Sequence, residues 1–103
     1  MEKFRNSIRN KEAKIAIVGF GYIGTCIGAS LANKGFKIVG IDSNKNIIRE
    51  INEGITSIKE PGLNELIKKV RENIVVSSDF SELESCEVII ITVGTPLNDD
   101  FSP

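Results

Sequence analysis

Apolar residues follow two patterns that alternate along this chain. Short continuous apolar runs occur at residues 15–18, 38–41, 74–76 and 88–93. Between them, apolar residues recur at intervals of three or four: Ile23, Ile27 and Leu31; Ile47, Ile48 and Ile51; Leu63, Leu66, Ile67 and Val70. Continuous runs are typical of strands buried on both faces, and the wider spacing indicates amphipathic helices. The pattern therefore predicts strands alternating with helices.

The order of these elements predicts the topology of the sheet. Ser43 or Asn44 is the expected N-cap of the second helix and Gly54 its end, and residues 79–84 are expected to form one helical turn. Right-handed crossovers then give an α/β fold with a parallel, Rossmann-like doubly wound sheet in the order 3-2-1-4.

The strand predicted at residues 88–93 is the most apolar in the chain and is expected to be fully buried. It would pair with a fifth strand that this sequence does not contain, so the sheet is expected to be truncated and the chain to be the N-terminal part of a larger protein. An uncovered β-branched edge is a template for pairing. We therefore expect self-association through this strand, and a homo-oligomer.

Composition narrows the possible functions. The chain has 103 residues, 41% of them hydrophobic and 26% charged, with a formal net charge of -1. These values fit one globular domain, expected at residues 13–103 after a charged extension at residues 1–12. No basic surface for nucleic acid and no apolar run long enough for a membrane span are indicated. Cys26 and Cys86 form no metal-ligand motif, and a cytoplasmic location is the simplest interpretation.

A glycine-rich segment joins the first strand to the first helix, and it reads Gly19-Phe20-Gly21-Tyr22-Ile23-Gly24. Gly19 allows a tight turn, Gly21 lets a pyrophosphate approach the backbone, and Gly24 lets the helix lie close to the sheet. The free amides at the helix start, together with the helix dipole, favour phosphate binding.

An acidic residue, Asp42, ends the second strand eighteen residues after Gly24. This is close to the spacing of about 20 residues expected for a carboxylate that binds a ribose. The turn and the carboxylate together predict a dinucleotide site. A plainer alternative is that the glycines only form a turn and Asp42 caps the next helix.

Two further motifs are not required by a general nucleotide-binding fold. Residues 60–63 read Glu-Pro-Gly-Leu at the start of the third helix, and residues 94–96 read Gly-Thr-Pro after the fourth strand. With the glycine segment and Asp42, they make the chain resemble the N-terminal NAD-binding domain of the UDP-glucose/GDP-mannose dehydrogenase family. The resemblance is colinear over residues 14–97.

The resemblance implies a parent enzyme that uses NAD to oxidise the C6 hydroxyl of a UDP- or GDP-sugar to a carboxylate in two steps. The catalytic cysteine and lysine of the family belong to a later part of such enzymes, so this chain is expected to bind cofactor without turning over. No catalytic residue and no metal site are assigned to it. Cys26 is more simply a small packing residue.

The cofactor contacts implied by the resemblance lie at Gly19, Gly21, Tyr22, Ile23, Gly24, Asp42, Lys45, Gly94 and Thr95. A carboxylate at residue 42 accepts hydrogen bonds from ribose hydroxyls and repels a 2′-phosphate, which favours NAD over NADP; Lys45 could weaken this preference. Members of the family often have a basic residue where this chain has Ile47, which leaves the adenine-side contact open. Thr95 is a candidate contact near the nicotinamide. Glu60 either approaches the same region or accepts hydrogen bonds from the amides at the start of the third helix.

Two other functions fit part of the sequence. A regulatory nucleotide-sensing module of a transport system would account for Gly19 and Asp42 equally well, but not for residues 60–63 or 94–96. A degenerate domain that has lost its cofactor is the remaining possibility. Cofactor binding and its dependence on Asp42 distinguish the last from the others.

Overall fold

The structure is a computed structural model that describes residues 13–92. Its strands are β1 (Lys14–Val18), β2 (Lys37–Ile41), β3 (Ile74–Ser77) and β4 (Val88–Ile91). Its helices are α1 (Tyr22–Asn33), α2 (Lys45–Asn52) and α3 (Leu63–Val70), with short 3-10 helices at Arg71–Asn73 and Phe80–Ser85. The predicted extension at residues 1–12 and the Gly-Thr-Pro motif at residues 94–96 lie outside the described residues.

The strands form one parallel sheet in the order β3-β2-β1-β4, which confirms the predicted order. Val18 pairs with Ile41, and Ile41 pairs with Ser77. The carboxyl ends of β1, β2 and β3 therefore lie side by side. In open α/β sheets this edge is the one that binds ligands.

The core lies between the helices and the sheet, and the ring of Phe20 is at its centre. Phe20 is fully buried. A Cβ on Gly28 would be 2.8 Å from its Cζ, and a Cβ on Gly40 would be 2.6 Å from its Cδ1. The absence of side chains at these two glycines thus creates the space that the ring fills, and holds α1 close to β1 and β2.

The face of α1 that packs on the sheet consists of small residues: Gly24, Thr25, Gly28, Ala29 and Ala32. Ile27 and Leu31 are only half-buried, and Ile23 is 60% exposed. Ile23 lies on a different side of the helix from the small residues, so its side chain does not pack on the sheet. The apolar spacing therefore marks the helix correctly, but the small residues mark its buried face.

The prediction that the last strand is fully buried is wrong for the described residues. Ile89 is 49% exposed and Ile91 is 67% exposed, whereas Val88 and Ile90 pack against the core. Successive side chains of a strand point to opposite faces. The core cluster covers the face of β4 that carries Val88 and Ile90, and the other face stays open.

The ends of the helices follow the polar signals in the sequence. Asn44, rather than Ser43, is the N-cap of α2, because its side chain accepts hydrogen bonds from the amides of Asn46 and Ile47. Gly54 follows the end of α2 with a φ of +82°, as expected for a glycine that terminates a helix. The helical turn predicted near residue 79 is the 3-10 helix at Phe80–Ser85.

Within residues 13–92, no helix has the length and apolar character needed to cross a membrane.

Candidate functional site at the carboxyl edge of the sheet

The three glycines of the turn after β1 have three different environments. Gly19 adopts a φ of +94°, a conformation that L side chains rarely adopt, and its amide donates to the Ile41 carbonyl oxygen at 2.7 Å. A Cβ on Gly24 would collide with the carbonyl oxygen of Gly19. A Cβ on Gly21 would meet no protein atom within 4 Å. Gly19 and Gly24 are thus required by the fold, whereas the fold does not require a glycine at residue 21.

The amides at the start of α1 are free for a ligand. Within residues 13–92, the N–H groups of Gly21, Tyr22, Ile23 and Gly24 have no protein acceptor, and the first bond of the helix runs from the Thr25 amide to the Gly21 carbonyl. Unpaired donors are a general property of the first turn of a helix. Here they adjoin an open glycine and carry the positive end of the helix dipole, which suits an anionic group.

The Asp42 carboxylate lies on the same edge as this turn. Its Oδ2 accepts a hydrogen bond from the Phe20 amide at 2.7 Å, and its Oδ1 accepts one from the Asn44 amide at 2.8 Å. A carboxylate offers about four acceptor positions, so this half-buried side chain keeps capacity for hydroxyl donors. Since Asn44 caps α2, the alternative in which Asp42 is that cap is wrong.

A pocket of about 220 Å³ opens beside Asp42. It is lined by Val18, Gly19, Ile41, Asp42, Ser43, Ser78 and Phe80. Ser78 and Phe80 were not identified from the sequence. The predicted order 3-2-1-4 contained the signal, because it places the end of β3 next to Asp42.

A larger cavity of about 330 Å³ lies on the other side of the turn, between α2 and residues 56–58. Two polar side chains that line it already have protein partners: Glu50 Oε1 accepts from the Ser57 amide at 3.0 Å, and Thr25 Oγ1 donates to the Phe20 carbonyl at 2.9 Å. Gly21 and Tyr22 of the glycine turn also lie on its wall. Asp42 does not line this cavity. The smaller pocket is therefore the better candidate for a nucleoside.

Glu60 is joined to the glycine turn rather than to the amides of α3. Its Oε2 accepts a hydrogen bond from the Tyr22 hydroxyl at 2.7 Å, although the two residues are 38 positions apart. This bond, followed by the negative charge of Glu60, raises the pKa of Tyr22 above its ordinary value. Lys45 follows Asp42 by three residues in the sequence; it is the first residue of α2 and is exposed.

Cys26 does not have the surroundings of a nucleophile. Cys26 and Cys86 are free and half-buried, and burial, then the charge of Glu60, raises the pKa of the Cys26 thiol. A raised pKa keeps the thiol protonated, whereas catalytic cysteines have a lowered one. This agrees with the expectation that Cys26 is a packing residue. Among the residues that the structure describes, no three His, Cys, Asp or Glu side chains are grouped as metal ligands.

Known proteins resemble this chain in both sequence and fold. Residues 13–103 match the UDP-glucose/GDP-mannose dehydrogenase family, NAD binding domain. The UDP-glucose 6-dehydrogenase AglM of Haloferax volcanii is 32% identical over 90 residues, which are 86% of this chain and 21% of that protein. The UDP-N-acetyl-D-mannosamine dehydrogenase of Pyrococcus horikoshii is 35% identical, with 84% and 21% covered.

Solved structures give the same result. A ternary complex of GDP-mannose dehydrogenase from Pseudomonas aeruginosa has a TM-score of 0.79 and 32% identity over 85% of this chain and 21% of that chain. A UDP-N-acetyl-mannosamine dehydrogenase from Staphylococcus aureus has a TM-score of 0.75 and 38% identity, with the same coverage.

The chain thus spans about a fifth of the length of these relatives. The match decides between the two functional classes considered from the sequence, in favour of the dehydrogenase and against the transport-regulating module. Because the match covers residues 13–103, this chain belongs to the UDP-glucose/GDP-mannose dehydrogenase family and carries its NAD-binding domain.

Proposed function

We propose that this chain is the cofactor-binding portion of a nucleotide-sugar 6-dehydrogenase, which uses NAD to oxidise the C6 hydroxyl of a UDP- or GDP-sugar to a carboxylate. The observation that supports this most strongly is the placement of Asp42 beside the glycine turn, where its carboxylate accepts the Phe20 amide at 2.7 Å. One edge of the sheet thereby presents free amide donors and a carboxylate acceptor. A dinucleotide needs both, the donors for its pyrophosphate and the acceptor for its ribose.

In this proposal the pyrophosphate lies on the amides of Gly21, Tyr22, Ile23 and Gly24. Hydrogen bonds from amides to a charged oxygen are each worth about 1.5–3 kcal/mol, and the helix dipole adds to them. The open space beside Gly21 supports this placement, because the anion can approach the backbone there. Gly94 and Thr95, outside the described residues, are proposed to lie near the nicotinamide.

The Asp42 carboxylate is proposed to hold the adenosine ribose and to select NAD. Its remaining acceptor positions suit the two ribose hydroxyls. A 2′-phosphate at the same place would put two anions in contact, which disfavours NADP. Lys45 is proposed to lie at the rim of this site, where its charge would partly offset that repulsion.

The chemistry of the parent enzyme is proposed to depend on residues beyond this chain. NAD, when bound, supplies the hydride acceptor. Residues 13–92 would bind and orient it, and we assign them no catalytic group. The chain by itself should therefore bind NAD without oxidising a nucleotide sugar.

Titration calorimetry with NAD and NADP on the 103-residue chain tests the proposal. Asp42→Asn keeps the shape of the side chain, removes its charge and replaces one of the two oxygens that accept the Phe20 and Asn44 amides, so thermal unfolding is measured alongside to show that the variant is folded. Glu53→Gln, on an exposed residue at the end of α2, is the matched control for loss of charge. We expect NAD to bind more tightly than NADP. Asp42→Asn should weaken NAD roughly 10-fold or more and reduce the discrimination against NADP, while Glu53→Gln should change neither.

Absence of binding by the unmodified chain would favour the degenerate domain instead. Equal affinities of the unmodified chain and the Asp42→Asn variant for NAD would contradict the role of the carboxylate.

We further propose that the chain self-associates and functions in the cytoplasm. In the order β3-β2-β1-β4, β4 lies at an edge of the described sheet, and an edge strand offers unpaired backbone groups to another copy. The exposed side chains of Ile89 and Ile91 add an apolar surface that also supports an interface between copies. A monodisperse monomer in sedimentation velocity at high concentration would refute the interface. The free thiols of Cys26 and Cys86 fit a reducing compartment, which fractionation of the source cells can test.

A further inference from the structure

Phe80 is an exposed aromatic residue at the mouth of the pocket beside Asp42. It is 61% exposed, whereas Phe20, in the same fold, is fully buried. Phe80 is the first residue of the 3-10 helix at Phe80–Ser85, and it lines the pocket together with Ser78 and Asp42. A large exposed aromatic side chain at a pocket is informative, because such side chains are usually covered.

Local hydrogen bonds fix the backbone that carries this ring. The Asp79 amide donates to Ser77 Oγ at 3.0 Å, and the Ser81 amide donates to Asp79 Oδ1 at 2.9 Å. The bonds between Ser81 and Asp79 also lower the pKa of the Asp79 carboxyl, so the cap is formed by the charged side chain. Phe80 therefore lies between two turns of defined geometry.

The same segment is tied to the second strand. The Asp42 amide donates to the Ser77 carbonyl oxygen at 3.0 Å, which extends the pairing of β2 and β3 by one residue. The position of Phe80 is thereby fixed relative to the Asp42 carboxylate. The ring and the carboxylate border one pocket.

The pocket has the polarity of a nucleoside site. Val18 and Ile41 provide apolar walls, and Asp42, Ser43 and Ser78 provide the polar groups. A volume of about 220 Å³ is below the range of about 300–1,000 Å³ found for whole drug-sized ligands, so the pocket suits one part of a dinucleotide.

We propose that Phe80 is a further cofactor-binding residue, which packs its ring against the adenine base when Asp42 holds the adjoining ribose. This inference rests on the proposed function and adds a residue to it. Aromatic side chains stack on nucleobases through their faces.

Titration of the 103-residue chain with ADP-ribose, which contains the adenosine and the pyrophosphate without the nicotinamide, tests the inference. Phe80→Ala should weaken ADP-ribose roughly 5- to 150-fold, the size expected for loss of one base–aromatic stack. Phe80→Tyr should restore most of the affinity. Ile55→Ala, which removes another exposed apolar side chain (48% exposed), is the matched control and should have no effect.

Proton NMR of bound ADP-ribose separates stacking from mere support of the fold. The adenine ring protons should shift upfield with the unmodified chain and with Phe80→Tyr, because an aromatic ring lies over them. Phe80→Leu keeps an apolar side chain and should abolish that shift. Asp79→Ala, which removes the cap, should reduce it.

The outcomes distinguish this inference from the proposed function. If the unmodified chain binds ADP-ribose, Asp42→Asn weakens it and Phe80→Ala does not, the role of Phe80 is refuted and the proposed function stands. If the unmodified chain binds neither ADP-ribose nor NAD, both are refuted.

Discussion

Alanine substitutions at Gly21 and Gly24 should affect different properties of the protein, although the two glycines are three residues apart in one turn. A Cβ at residue 21 would meet no protein atom within 4 Å, and the φ of -78° there is accessible to alanine. A Cβ at residue 24 would collide with the Gly19 carbonyl oxygen and lie 2.7 Å from Thr92 Oγ1. Gly21→Ala should therefore affect the ligand, and Gly24→Ala should affect the fold.

The structure allows both effects to be sized. At residue 24, a clash with backbone costs about 3 kcal/mol or more, and the better helix propensity of alanine returns about 1 kcal/mol. The net loss of about 2 kcal/mol should lower the Tm by roughly 8–16 °C. At residue 21, alanine is a poorer N-cap than glycine, which destabilises the fold, but it also lowers the entropy of the unfolded chain, which stabilises the fold. The two effects nearly cancel, so the free energy of unfolding should change by less than about 1 kcal/mol.

Gly21→Ala should instead weaken the binding of the ligand. The added methyl group of Gly21→Ala occupies the space through which the pyrophosphate reaches the amides, and lengthening one charged hydrogen bond costs about 1.5–3 kcal/mol. This corresponds to a loss of affinity of roughly 10- to 150-fold. Thermal unfolding followed by circular dichroism, and calorimetry with ADP-ribose, measure the two effects. The reasoning is refuted if Gly21→Ala binds ADP-ribose as tightly as the unmodified chain, or if Gly24→Ala is equally stable.

Two other contacts give independent predictions. Tyr22 is the only tyrosine in the chain, so its absorbance titration is unambiguous, and Glu60→Ala should move the midpoint down towards 10.0, whereas Glu65→Ala should not. Since the pKa of Tyr22 is raised in the folded protein, the stability that this bond contributes is complete below pH 10.0 and is lost as the pH rises through the folded pKa. An unchanged titration midpoint in Glu60→Ala would contradict the bond. The Asn52 side chain donates to the Val76 carbonyl and accepts from the Val76 amide, both at 2.9 Å, on the edge strand β3. Asn52→Ala should lower the free energy of unfolding in urea by about 1–3 kcal/mol. Asn46→Ala, at an exposed position on the same helix, is the control, and an equal loss in the two variants would show that the two bonds do not stabilise the edge strand.

The sequence was sufficient to predict the sheet order and the relation of the turn to Asp42. Both depend on short-range features: apolar runs mark the strands, and the right-handed crossover rule converts their order into a topology. The turn and Asp42 each directly follow a strand, so neighbouring parallel strands bring them to one edge. Predicting that the turn and Asp42 lie close together therefore required no knowledge of loop conformation.

Contacts that depend on loop conformation were not predicted. The Tyr22–Glu60 bond requires the path of the whole segment between α2 and α3, and the place of Phe80 depends on the turn after β3. The exposure of Ile89 also could not be read from the sequence, because an apolar run does not reveal how many faces of a strand are covered. The Tyr22–Glu60 bond and the exposure of Ile89 are determined by packing between segments distant in sequence, whereas the place of Phe80 is determined by local hydrogen bonds in the turn after β3.

The most direct test of the account is a map of backbone amide shifts in the ¹⁵N-labelled 103-residue chain during titration with NAD. The account predicts that the largest changes occur at Gly21, Tyr22, Ile23 and Gly24, with further changes at Ser43 and Phe80, and that residues 56–58 beside the larger cavity change little. Largest changes at residues 56–58, or no changes at the start of α1 at saturating NAD, would contradict the claim that this edge of the sheet binds the dinucleotide.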